Sequence, residues 1–275
     1  MPLPLEKART PFPFLFKSSL EKNPRKFTRQ GIVELHREVE DDVRWALEAF
    51  EGPTLCPISI EVLEPAELAA HMVETRLVEP GKVSEVGAPA GLTTSELRNG
   101  ELHYTIYYNR QALEETYAAR RYLGAGAVMV HEILTTVSGP FLQTQMVASG
   151  HNNLNPKDNR ETMLCFVGPL SFLDEGFACY GSELPYHSQR LGELESEIRD
   201  GAYPEMTADL FTDYHFIGAL ALLKIDYVFH LNPLIDLMHR PVGYDILRPN
   251  GVFREVMNLY AKANSCLNEA PLEVG

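Results

Sequence analysis

The chain has 275 residues, 45% of them hydrophobic, enough for one large domain or two modest ones with a sizeable buried core. Acidic residues outnumber basic ones 38 to 24, a formal charge of -14, so a phosphate backbone would be repelled and nucleic acid is not an expected partner. No apolar run reaches the roughly eighteen residues of a membrane span, and "MPLPLEKARTPFPFLFK" lacks the basic start and helical core of a signal peptide; the expectation is a cytoplasmic protein that makes no use of a membrane.

Residues 1–30, rich in proline and basic side chains, read as an arm lying over a single domain of residues 31–275. In "GIVELHREVEDDVRWALEAFEG" the apolar positions Ile32, Val33, Leu35, Val39, Val43, Ala46, Leu47 and Phe50 recur at helical spacing, and Gly52-Pro53 ends the helix. "PISIEVLEP" alternates as a short strand, and "PAELAAHMVETRLV" follows as a helix. Glycine, proline and small polar residues then predict a loop or a loosely paired ribbon up to Gly100. "ELHYTIYYNRQAL" restores a strand with large residues on both faces, which implies cover on both.

From Leu113 to about Val137 the pattern is helical, and "LGAGAVMVHEILTTV" is apolar nearly all round, so this helix belongs in the interior and should end at Gly139-Pro140. A polar loop leads to "MLCFVGPLSFLDEGFACYGSEL", where Ser171 or Asp174 could open another helix. The last third predicts a long apolar helix over 206–231, a short one over 232–241 and a final one over 250–267. A few strands followed by many helices make an α+β layout, with lobes over 31–145 and 146–275 flanking any cleft. Cys56, Cys165, Cys179 and Cys266 are scattered without CxxC spacing, so neither a disulfide framework nor a cysteine zinc site is expected.

Chemistry concentrates in "VMVHEILTTV". On a helix, residues four apart share a face, so HExxH offers two imidazoles to one metal while the glutamate addresses the metal-bound water as general base. His131 and Glu132 supply the first two elements, but Thr135 occupies the place of the second histidine. Further on, Asp174, Glu175, Gly176, Ala178 and Tyr180 match the pattern [ND]-E-G-x-A-x-Y in register. The two segments, in this order and a few tens of residues apart, resemble the gluzincin metallopeptidases over about residues 56–262.

That resemblance implies a zincin-like fold: a small N-terminal sheet with "LHYTIYYN" as its edge strand, an active-site helix and a mostly helical C-terminal half. It also implies zinc held by His131 and Glu175, with Glu132 as general base and Tyr214 or His215 steadying an oxyanion. Thr135 departs from the pattern, because a neutral hydroxyl is a poor zinc ligand, and losing one histidine costs about 3 kcal/mol of metal binding.

Three readings follow. The first is a diverged, peptidase-inactive member that keeps its cleft for a small molecule or peptide, with Glu132, Glu175, His131, Tyr180 and Tyr214 available for binding or acid–base work. The second is a working metal-dependent hydrolase in which His151, His187 or His215 completes the site. The third is an acidic helical adaptor whose motif match is accidental. "YLGAGAV" lacks the GxGxxG of a dinucleotide loop, "GHNNLNPKDN" the spacing of a calcium loop, and "VSGPF" the GxSxG of a nucleophile elbow.

Overall fold

The computed structural model describes residues 27–48, 56–75, 77–78, 81–82, 88–99, 101–118, 125–148 and 251–269, together with helical positions Gly176, Ala178, Leu222, Ile225, Val228 and Phe229. One compact unit holds the sheet and the helices around it as far as Pro140; a second begins at Phe141 and includes the C-terminal helix.

Helix α1 spans Arg29–Glu48. It starts where Thr28 caps it: the Thr28 hydroxyl accepts from the Gly31 N–H at 3.1 Å and its carbonyl from Ile32 N–H at 3.0 Å. Ile32, Leu35, His36, Val39 and Val43 form the buried face, so one histidine sits in an otherwise apolar stripe. Strand β1 covers Ile58–Leu63, and helix α2 covers Pro65–Glu74. Pro65 is suited to the first helical position because its missing N–H has no partner to lose there, and Glu67 receives the Glu64 N–H at 2.8 Å. The helix stops at Glu74 rather than running on to Val78, with the Thr75 hydroxyl turned back to the His71 carbonyl at 2.7 Å.

The segment expected as a loop or loose ribbon contains a regular strand, β2, over Gly91–Arg98. It pairs antiparallel with β3, Glu101–Asn109, from Gly91 opposite Tyr108 to Arg98 opposite Glu101. The turn between them is Asn99-Gly100, and Asn99 takes φ 52°, the left-handed conformation that tight hairpin turns demand. Strand β1 pairs parallel to the other side of β3, Ile58 beside Tyr104 and Val62 beside Tyr108. The order is therefore β1-β3-β2. Among the described residues "LHYTIYYN" is the central strand, not the edge: its run of large residues on both faces is what a doubly covered strand needs.

Asn109 ends β3 and begins helix α3, Arg110–Ala118, its side-chain oxygen accepting from Ala112 N–H at 3.1 Å. Arg110 grips Glu64 through two contacts, 2.6 and 3.1 Å, tying the start of α3 to the start of α2. The single helix predicted from Leu113 to Val137 is thus two helices, α3 and α4, the latter spanning Ala125–Ala148. Gly139-Pro140 does not end α4. A proline inside a helix removes one hydrogen bond at a cost of about 3 kcal/mol, and apolar burial on either side of the helix axis offsets it: Val128, Met129, Val130, Ile133, Leu134 and Val137 are all buried.

The pleat divides this unit in two. Tyr107 packs with Leu68 and Met72 of α2, supported by Leu63, Val78, Ala88 and Leu92. Tyr104, Ile106 and Tyr108 point to the opposite face, where α1 and α4 lie. In the second unit, helix α5 covers Gly251–Glu269 close to its predicted span, burying Val256, Tyr260 and Ala263. The expected helix over 206–231 is described at Leu222, Ile225, Val228 and Phe229, all helical; the short helix over 232–241 lies outside the described residues. The described elements make an α+β protein with a small mixed sheet.

Candidate functional site

Helix α4 delivers Glu132 to the sheet. The side chain is 7% exposed, and its carboxylate oxygen Oε2 accepts a hydrogen bond from the Thr93 hydroxyl of β2 at 2.6 Å. Gly91 opens the space for it: a Cβ at that position would collide with Glu132 Oε1 and stand 2.7 Å from Cγ and Cδ. Any larger residue would collide with the glutamate, so the absence of a side chain at Gly91 is what admits the carboxylate to the sheet face.

The register sets Tyr108 directly opposite Gly91 on the same face of the sheet. Tyr108 is completely buried, and its hydroxyl is 2.8 Å from Nδ1 of His36, itself completely buried. On the other side of the imidazole, Nε2 stands 3.4 Å from Glu40, within ion-pair reach but not aligned for a hydrogen bond. Glu40 is also paired with Arg44 one turn further on. A line of polar groups therefore runs from Glu40 to His36 to Tyr108, on the sheet face that also receives Glu132 and Thr93.

Electrostatics follow the geometry. Burial pushes the Tyr108 phenol well above its ordinary value, and the negative charges of Glu132 and then Glu40 push the same way. Contact with His36 holds the Glu40 carboxyl below the usual range against the opposing effect of burial, and the charges of His36 and Arg44 add to the lowering. On the opposite face Tyr107 is raised, first by burial and then by Glu61, while bonds to Thr94 and Thr105 pull it down.

The residues expected to hold zinc divide differently. His131 and Thr135 are half-buried on α4, and the Thr135 hydroxyl donates to the His131 carbonyl at 3.2 Å, committing its proton to its own helix. Helix α4 itself thus offers one imidazole and a hydroxyl bonded into its own backbone, where a two-histidine motif supplies two imidazoles. Among the described residues no three His, Cys, Asp or Glu side chains gather as a metal would require. Glu175, Tyr180, His151, His187, Tyr214 and His215 lie outside the described residues; of their motif neighbours, Gly176 and Ala178 are helical and buried.

His36, Tyr108, Thr93 and Gly91 were not among the expected site residues. A histidine at helical spacing within the apolar stripe of α1 is the one local signal that could have singled out His36. Elsewhere in this unit, an open groove of about 310 Å³ lies between the start of α1 and β1, lined by Arg29, Val33 and Glu61 among others, away from Glu132. No described helix is long and apolar enough to cross a membrane. Comparison of the chain with protein-family models, with curated proteins and with solved structures finds no match.

Proposed function

We propose that this chain is a diverged relative of the gluzincin peptidases that has given up the two-histidine metal site and uses Glu132 as a buried carboxyl group for ligand binding or acid–base chemistry. The observation that carries the reading is the seat of Glu132, where Gly91 makes room and Thr93 supplies a 2.6 Å hydrogen bond. A carboxylate withdrawn from water in this way retains both its charge-binding and its proton-transfer capacity, and a low local dielectric strengthens each. The ligand class is a small molecule or a peptide, and the protein works without nucleic acid and in the cytoplasm.

The departure at Thr135 supports the loss of zinc. A hydroxyl bonded to its own helix would have to break that bond to coordinate, and a neutral oxygen would return little for it. The experiment is elemental analysis of tag-free protein beside the Thr135→His variant. Sub-stoichiometric zinc in the wild type and about one zinc per chain in the variant is the expected result, because restoring the second imidazole completes a three-ligand set. Stoichiometric zinc in the wild type would overturn the proposal in favour of a working hydrolase completed by His151, His187 or His215. Zinc in neither would remove the gluzincin likeness itself and leave an interaction protein as the better reading.

A further inference from the structure

We propose that the outer edge of strand β1 takes up an extended segment of a basic partner protein, which adds antiparallel as a further strand with a lysine or arginine set against Glu61. The edge lies away from Glu132 and can be occupied whatever that carboxyl group does.

The sheet leaves this edge open. Among the described residues β1 is an outer strand, paired on one side only, with β3. The Pro57 carbonyl accepts the Tyr104 N–H at 2.9 Å, and that bond fixes the alternation along β1. Ser59 and Glu61 turn their backbone groups toward β3, so Ile60 and Val62 turn theirs outward. The groove of about 310 Å³ is lined by Ile60 and Val62 on one side and by Val33 and the start of α1 on the other. Outward N–H and C=O groups beside a groove are a template for strand addition.

Side chains select the occupant. An added strand turns alternate residues to opposite faces. Those opposite Ile60 and Val62 face the α1 side, where Ile60 and Val33 offer half-buried apolar surface, so β-branched side chains suit them. The residue between them pairs with Glu61, which is exposed. The polar side chains of the α1 wall are already engaged, Arg29 with Glu67 at 2.8 Å and Gln30 with Glu34 at 2.7 Å. Glu61 has no ion pair among the described residues, so the charge to be met in the groove is negative. The chain's net charge of -14 draws a basic partner in the same sense. A second copy is opposed by these charges, because antiparallel pairing of two β1 edges brings the two Glu61 side chains together, the kind of edge charge that prevents self-association.

The test is fluorescence anisotropy of the full chain with a labelled, capped peptide that alternates valine and threonine around a central lysine flanked by valines. This peptide should bind, and replacing its lysine with glutamate should weaken binding roughly tenfold. Glu61→Lys should reverse that preference. N-methylation of the two valines beside the lysine, whose N–H groups face β1, should abolish binding, whereas N-methylation of the lysine, whose N–H faces away, should leave it unchanged. Ile60→Pro removes an N–H that the sheet does not use, so it should keep the circular dichroism of the wild type and lose the peptide. No binding at about 1 mM peptide, equal binding of the lysine and glutamate forms, or indifference to valine methylation would overturn the proposal. Dimerisation of the chain that Ile60→Pro abolishes would also overturn it, assigning the edge to a second copy.

Discussion

Tyr107 and Tyr108 are neighbours on β3, both buried, yet they serve opposite kinds of interior. Tyr107 meets Leu68 and Met72 with His71 stacked against its ring at a centroid distance of 4.2 Å, and its face of the sheet is held by apolar contact. Tyr108 points into a face where a histidine, two glutamates and a threonine are brought within the fold. The comparison shows how a period of two lets one strand separate a stabilising core from a polar site over the thickness of a single sheet. Apolar packing tolerates approximate partners, whereas the polar face needs each donor matched to an acceptor, and a missing match there is penalised more sharply than a missing contact.

The largest effect expected from breaking this division is on the apolar side. Leu68→Ala should lower unfolding free energy by about 2–5 kcal/mol, measured by urea denaturation, because Leu68 is completely buried against Tyr107.

Gly91→Ala comes next, at about 1–3 kcal/mol, since the new methyl group collides with the Glu132 side chain. In a Glu132→Ala background the same substitution should have little effect, so the two changes are strongly non-additive. Simple additivity would show that the glutamate does not occupy the notch.

Smallest at neutral pH is Tyr108→Phe, about 1–2 kcal/mol from the bond lost to His36. Its signature lies in the pH dependence. The Tyr108 value is raised in the folded state, so its contribution is fully present below the ordinary phenol value of 10.0 and is lost as the pH rises from there toward the folded value. The wild-type protein should therefore lose stability with alkali more steeply than Tyr108→Phe. Parallel alkaline limbs would place Tyr108 in contact with solvent.

The elements with strong local patterns were legible in the sequence. Helix α1, strand β1 and strand β3 stand where their apolar spacing puts them, and α5 nearly so. Strand β2 was obscured because "GLTTSELR" is mostly polar, although the Asn99-Gly100 that follows it is a hairpin signal in its own right. The continuation of α4 beyond Pro140 went against a local stop signal. Of the candidate site, Glu132 was found through its motif. Thr93 and Gly91 were not, because they meet it from β2, and Tyr108 is set opposite Gly91 only through the pairing of β2 with β3, which no spacing along the chain encodes. His36 was hidden for the converse reason, since a residue in an apolar stripe is read as packing.

The sheet also dictates an order of assembly. Strands β2 and β3 are joined by a two-residue turn and can zip together within microseconds, whereas β1 must return across roughly forty residues to pair with the same strand, a slower closure. The floor on which Glu132 rests is thus the quick part of the sheet. A slip of one residue in that hairpin would carry Gly91 and Thr93 to the α2 side and leave the incoming glutamate facing a wall. The left-handed conformation of Asn99, at the opposite end of the strands from Gly91, guards against that slip, so fidelity of the turn during folding is a condition for having a pocket at all.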